Sequence, residues 1–180
     1  MALIPRTVFL SSILVLLLAG TAPAQENAAA SRTPKYLRAE HDHLHATLDR
    51  LAGGPGKTGK AAQELAEVLR GHMLDEEKYV LPELGLLRSL AFEGSSEEML
   101  WAVSLSEELA AEYPRMVAAH KAIAGLLDKL AEAGELESDP DAVFFARHLK
   151  AHLQYEDEVV YPAAVLAGKY IKMKQGQKAG

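Results

Sequence analysis

The sequence predicts an all-α fold, arranged as an antiparallel up-down-up-down four-helix bundle. Aliphatic residues, alanine and charged residues dominate, and only 6% of residues are aromatic. Apolar residues recur at helical spacing in four stretches, with short connections between them. A chain of 180 residues is enough for one domain with a real core, so we expect a single bundle.

Composition excludes several classes of protein. The chain has no cysteine, which rules out disulfides, thiolate metal sites and iron–sulfur clusters. Its formal net charge is −6, so no broad basic surface is available and we expect no nucleic-acid partner.

Residues 1–24 are predicted to be a secretory signal peptide. Arg6 is their only charge, an apolar region runs from Val8 to Gly20, and Ala22-Pro23-Ala24 fits the rule for cleavage before Gln25. The alternative is a membrane anchor, but the apolar region is shorter than the ~20 residues that a spanning helix needs. We therefore expect a periplasmic or secreted protein with no membrane attachment after cleavage. Residues 25–34 are predicted to be a flexible leader.

The predicted bundle covers residues 35–168. Helix one should begin near Pro34 and stop in the loop 53–56, which contains three glycines and a proline. Helix two should run from about Lys60 until Pro82 kinks or ends it, because proline removes one backbone donor and clashes with the preceding turn.

Helix three should open after Ser95 and Glu98, which have the spacing of a capping box. It should break at Pro114 and stop at Gly134. Ser138-Asp139-Pro140 should then begin helix four, which extends to Pro162. The basic tail, residues 169–180, is expected to fray.

One segment of the chain occurs twice. The segment 72–82 reads HMLDEEKYVLP and the segment 152–162 reads HLQYEDEVVYP. In both, a glutamate follows the histidine by four residues, which places the two side chains on one helix face. Each copy also has a histidine about 31 residues upstream, at His41 and His120. The candidate site residues are His41, His72, Glu76, His120, His152 and Glu156.

All six candidates fall on the apolar faces of the predicted helices. Burying such groups without partners costs several kcal/mol or more, whereas a metal would accept the imidazoles and neutralise the carboxylates. Six ligands are too many for one tetrahedral zinc and suit two metals bridged by carboxylates. We expect both glutamates to bridge and the histidines to be terminal ligands.

Four segments resemble the signature of the hemerythrin-like, or HHE cation-binding, domain. They are EHDHLHATL, HMLDEEKYVLPEL, HKAIAGLL and HLQYEDEVVYP, within roughly residues 36–165. The resemblance implies a four-helix bundle with a non-haem di-iron centre, and the family's ligands correspond to the same six residues. Met116 stands where oxygen-carrying hemerythrins have a fifth histidine. The pattern is more similar to a bacterial branch linked to iron handling and nitrosative-stress repair, but the cysteine-containing N-terminal region of some of those repair proteins is absent.

Three histidines lie outside this set. His45 and His148 are each one helical turn from a candidate ligand, and we expect a buried pair near the metals. Their alternative role is a supplementary ligand or a proton relay. His43 should face solvent.

The leading functional hypothesis is an exported di-iron protein. It would bind or sense a small oxidant (O₂, NO or peroxide), or store iron. The alternatives are a di-iron enzyme that turns over peroxide or NO, and a metal-free helical interaction module. The sequence does not predict the oligomeric state.

Overall fold

A computed structural model describes residues 33–178, and within this range the chain is helical and contains no strand. The all-α prediction is confirmed there. The helices are α1 (Lys35–Ala52), α2 (Gly56–Tyr79), α3 (Leu81–Leu84), α4 (Leu87–Phe92), α5 (Trp101–Glu137), α6 (Pro140–Tyr155) and α7 (Tyr161–Lys178). A 3₁₀ turn, Glu97–Met99, precedes α5, and a π-helical segment, Glu156–Val160, joins α6 to α7. None of these helices is long and apolar enough to cross a membrane. The predicted signal peptide and residues 25–32 of the predicted leader lie outside the described range.

The long helix α5 is the centre of the packing. It contacts α2, α6 and α7, while α1 packs against α2 and more lightly against α6. Ion pairs join neighbouring helices: Arg50 of α1 pairs with Asp141 of α6, and Arg115 of α5 pairs with Asp75 of α2. Glu137, at the end of α5, accepts hydrogen bonds from the first backbone amides of α2.

Two apolar clusters divide the interior. The first contains Leu65, Leu69, Ile123, Leu127 and Leu149, among other residues of α1, α2, α5 and α6. The second contains Val80, Leu81, Leu84, Leu109, Met116, Val160, Tyr161 and Ala164. In the sequence, the candidate ligands of α2, α5 and α6 lie between residues of the first cluster and residues of the second cluster. Apolar side chains therefore enclose the polar site on both sides.

The predicted break at Pro114 is wrong. Helix α5 continues through it from Trp101 to Glu137. Proline cannot donate to the carbonyl of Ala110, four residues earlier. Both Pro114 and Ala110 are exposed, so water can satisfy that carbonyl. Packing of Leu109 and Met116 in the second cluster holds the helix on either side.

The two other boundaries of helix three also differ from the prediction. The predicted capping box at Ser95 and Glu98 does not begin the helix: Ser96 precedes a 3₁₀ turn without a side-chain cap, and the long helix begins only at Trp101. Gly134 does not stop α5, which ends after Glu137 with Ser138 in the left-handed conformation. Gly134 is instead a point of close approach, because an added Cβ would lie 3.1 Å from the Cβ of Ala142 on α6.

The proline-containing ends of the two copies differ in shape. Helix α2 ends at Tyr79, as expected, and a short helix with Pro82 in its first turn follows. Pro162 does not end the fourth helical stretch: after the π-helical segment, α7 continues. The tail expected to fray is helical through Lys178, and Ile171 in it is fully buried. Helix α2 also begins at Gly56, earlier than predicted.

The start of helix four agrees with the sequence. The Asp139 side chain accepts a hydrogen bond of 3.1 Å from the backbone N–H of Ala142, and Pro140 occupies the first helical position.

Candidate metal centre

The first group of candidate ligands consists of His72 and Glu76 on α2, His120 on α5, and Glu156 at the start of the π-helical segment. The Nε2 atoms of His72 and His120 lie 2.8 Å apart, and His72 Nε2 is 3.4 Å from Glu76 Oε1. Glu156 Oε2 approaches His120 Nε2 at 3.6 Å. These four side chains are buried and offer ligand atoms within 4.8 Å of one another. The first group is therefore compact enough to surround one cation.

A second group comprises His41 on α1 with His152 and Glu156. His152 Nε2 lies 2.7 Å from Glu156 Oε1, and His41 Nε2 lies 4.0 Å from the same oxygen. All three side chains are buried, and their ligand atoms also lie within 4.8 Å of one another. The structure thus brings all six predicted residues into two adjoining groups.

Glu156 belongs to both groups. Its Oε1 faces His41 and His152, while its Oε2 faces His120. Oε2 is buried and has no hydrogen-bond partner. A buried acceptor without a partner costs about 1–3 kcal/mol, and more when charged, and a cation would remove that cost. Glu76, also expected to bridge, belongs to the first group alone.

The two glutamates have opposite electrostatic character. Burial raises the pKa of Glu156 to about 7, and the negative charge of Glu76 adds to this effect. Burial also acts to raise the pKa of Glu76, but hydrogen bonds from His120, His72 and Tyr161 outweigh it and hold that pKa far below its usual range. Two carboxylates so close together resist full ionisation unless positive charge lies between them. A metal would supply that charge.

Carboxylates also surround the outer nitrogens of three histidines. Asp157 lies 2.9 Å from His120 Nδ1, Glu40 lies 3.4 Å from His152 Nδ1, and Glu77 lies 4.0 Å from His41 Nδ1. A carboxylate within hydrogen-bond distance of Nδ1, as Asp157 is of His120, fixes the tautomer that leaves Nε2 free to bind a metal, whereas His41 Nδ1 has no hydrogen-bond partner. The sequence reasoning gave none of the three acids a role at the site, although Glu77 and Asp157 directly follow the paired glutamates.

Charge and burial act differently on the histidines. Burial lowers the pKa of His41, where the neighbouring acids do not compensate. Burial also disfavours the charged forms of His120 and His152, but the carboxylates raise the pKa of His120 and bring that of His152 to about 9. The hydrogen bond that His152 donates to the Glu156 carboxylate is the largest of the effects that raise the pKa of His152.

Tyr161 is a site residue that the sequence reasoning missed. Its side chain is fully buried, and its hydroxyl donates a 2.5 Å hydrogen bond to Glu76 Oε1. The same hydroxyl lies 3.0 Å from His120 Nε2. Burial, with the charges of Glu76 and Glu156, raises the pKa of Tyr161 above its ordinary value. The signal available in the sequence was its place five residues after the second repeated glutamate.

The remaining histidines do not form the expected buried pair. His148 is exposed and stacks on Phe144 with ring centroids 5.9 Å apart, while His45 is half-buried. His148 lies four positions before His152, so its side chain is rotated by about 40° around the helix axis from that of His152. Its neighbour Leu149 is the residue that is buried. His43 is exposed, as predicted.

A comparison with known protein families shows the family of this chain. The model for the hemerythrin HHE cation-binding domain matches residues 32–164. The chain belongs to the hemerythrin HHE cation-binding family. No curated protein and no solved structure gives a significant match.

This hemerythrin-like chain has the donor set that cation binding requires. Imidazole nitrogens and carboxylate oxygens converge in a buried space, with an unpartnered carboxylate oxygen between the two groups. Cations that accept both imidazole and carboxylate fit this set, and no thiolate is present to favour a soft metal.

Proposed function

We propose that this hemerythrin-like chain is an exported di-iron protein that binds or senses a small oxidant (O₂, NO or peroxide) or stores iron. The observation that carries the proposal is the position of Glu156, with one oxygen towards each group of ligands. A carboxylate so placed suits a bridge between two cations. Iron is proposed over other metals because the resemblance to hemerythrin-like domains implies a non-haem iron pair, and four histidines and two glutamates without thiolate are compatible with it.

Bound iron would supply redox chemistry and an open coordination position for the oxidant. The residues of the chain prepare the site for it. Nε2 of His120 faces the interior of the first group, while Asp157 holds its Nδ1 from the other side. The two apolar clusters exclude bulk water, which strengthens the electrostatic interactions inside.

We further propose the antiparallel up-down-up-down arrangement of the four main helical stretches. The pairing of residues supports it: as the numbers rise along one helix they fall along its neighbour. Arg50 pairs with Asp141, and His41 lies near His152. On the other side, Lys57 contacts Glu137, and Asp75 contacts Arg115.

Export rests on the amino-terminal sequence. The charged start, the apolar stretch and the small residues before Gln25 favour cleavage after Ala24. N-terminal sequencing of the mature protein from its native host should read Gln25 first. Recovery of the uncleaved chain in the cytoplasm would contradict this part of the proposal.

The test of the metal centre is a metal count on the purified chain. Iron-reconstituted protein should hold two irons per chain and should melt at a higher temperature than chelator-treated protein, since a ligand that binds only the folded state stabilises it. Exposed Glu158→Gln, two residues beyond Glu156, is the matched control and should keep both irons. A chain that binds no iron, with equal melting temperatures in both forms, would support the metal-free interaction module instead.

Binding and turnover need a separate measurement. A sensor or carrier should bind NO or peroxide stoichiometrically, with a spectral change that stops at saturation. Continued consumption of peroxide or NO at steady state, lost in Glu76→Ala, would establish the enzymatic alternative.

A further inference from the structure

The phenol of Tyr161 lies inside the first group of ligands. Tyr161 begins α7, directly after the π-helical segment that starts at Glu156. Its hydroxyl lies 2.5 Å from Glu76 Oε1 and 3.0 Å from His120 Nε2. Both of these atoms are the ones that the carboxylate and imidazole would offer to a metal.

These distances match those between neighbouring ligands. With metal–ligand bonds of about 2.1 Å and angles near 90°, adjacent ligand atoms lie about 3 Å apart. Asp157 provides the contrast, because it approaches His120 at Nδ1, on the side away from His72. Tyr161 therefore has the position of a ligand, whereas Asp157 has the position of an outer support.

The second group has no equivalent. In the first copy of the repeat, the residue five after the glutamate is Leu81, whereas in the second copy it is Tyr161. Leu81 is buried in the second apolar cluster and carries no donor atom. Within the described part of the chain, no tyrosine hydroxyl is hydrogen-bonded to His41 or His152.

We propose that Tyr161 is a metal ligand, and that its phenolate oxygen binds the cation held by His72, Glu76 and His120. The two metals would then be chemically distinct. As the cation binds, the O–H bond of Tyr161 breaks, an oxygen–metal bond forms and the proton passes to water, with no change of oxidation state. Proton release of this kind accompanies metal binding at protein sites. The inference rests on the proposed metal centre.

Ferric iron bound to a phenolate absorbs visible light and shows enhanced phenolate ring vibrations in resonance Raman spectra. The ferric wild-type protein should show both, and Tyr161→Phe should lose both while keeping its iron. Tyr113→Phe is the matched control, because Tyr113 packs edge-on against Tyr161 at 6.2 Å yet has no hydrogen bond to a candidate ligand. It should keep both signals. Iron-loaded wild type without phenolate vibrations, or Tyr161→Phe that retains them, would overturn the inference.

A second measurement needs no variant. Gallium(III), which has no redox chemistry, can be titrated into metal-free wild-type protein while ultraviolet difference absorption is recorded. The expected result is the difference spectrum of a single ionised tyrosine per chain, saturating together with metal uptake. Metal uptake without that spectrum would overturn the role of Tyr161 alone. If neither gallium nor iron bound, the metal centre itself would fail.

Discussion

The two copies of the repeat begin alike and then diverge. Both place a histidine and a glutamate one turn apart, and both glutamates are buried in the same site. After Glu76 the helix ends at Tyr79, whereas from Glu156 onwards the backbone widens into a π-helical segment. Segments of this kind occur often at functional sites because they redirect the side chains that follow. The repeat therefore fixes the paired histidine and glutamate ligands, while the residues that follow each glutamate make the two copies different.

The surroundings of the two ligand groups also differ, and the first group has the closer contacts. The first group includes Tyr161, and an acid lies 2.9 Å from the outer nitrogen of His120. The second group has longer outer contacts, 3.4 Å to His152 and 4.0 Å to His41. We therefore expect the first group to hold its metal more tightly.

The largest effect should come from Glu156, because it serves both groups. Glu156→Gln should reduce the metal content from two per chain to nearly none, since the amide offers one neutral oxygen in place of two oxygens that share a negative charge. His41→Ala should remove only the metal of the second group. Elemental analysis of the purified variants measures both outcomes. If Glu156→Gln retained both metals, the shared position of this carboxylate would have no functional meaning.

The next effect concerns a carboxyl that only the first copy carries. Glu83 follows Pro82, where the second copy has Ala163 after Pro162. Glu83 is fully buried and neither of its oxygens has a hydrogen-bond partner. Burial, with a smaller contribution from the charge of Glu108, raises its pKa from 4.5 to about 8. Between these values the folded state binds more protons than the unfolded state, so stability should fall as pH rises through this window.

Glu83→Gln should remove this loss of stability. Relative to wild type, the variant should gain a few kcal/mol between pH 5 and about 8.5, because each tenfold change in proton affinity is worth about 1.4 kcal/mol. Urea unfolding of the metal-free proteins across this range measures the difference. Exposed Glu98→Gln is the control and should follow wild type. If the difference in unfolding free energy between Glu83→Gln and wild type were the same at all pH values in this range, Glu83 would be ionised in the folded protein throughout it.

The outer acids allow a direct comparison of the two groups. Asp157→Asn should weaken metal binding by about 10–100-fold, the usual cost of losing an outer partner of a metal-bound histidine. Glu40→Gln should have a smaller effect, because its contact with His152 is longer. Competition with a chelator of known affinity measures both. Equal losses would contradict the expected order of the two groups.

The smallest effect concerns helix starts. Asp139 immediately precedes α6 and caps it locally, whereas the start of α2 is capped by Glu137, which belongs to another helix. Asp139→Ala should cost about 1 kcal/mol of unfolding free energy, measured by urea denaturation. Glu132→Ala, at an exposed position of α5, should cost much less. A cost below that of the control would show that Asp139 does not cap the helix.

The all-helical class and the clustering of the six ligands were predictable because both follow from periodicity. Groups that lie on the apolar faces of helices are buried when those faces pack. The repeated spacing then gave the pairs of ligands. Nothing beyond local pattern was needed for these conclusions.

The missed features depend on packing and solvation. Pro114 is tolerated inside α5 because the carbonyl it leaves without a donor is exposed. His148 points outwards because the 3.6-residue period rotates it away from the inward face. The inward position of Tyr161 follows the π-helical segment, and the burial of Glu83 follows the placement of the short helix α3. Neither has a periodic signature in the sequence.

The most direct test of the account is anomalous X-ray diffraction at the iron edge from crystals of the iron-loaded protein. The account predicts two iron peaks per chain on either side of the Glu156 carboxylate, one beside His72 and His120 and the other beside His41 and His152. A single peak, or none within this cluster of side chains, would contradict it.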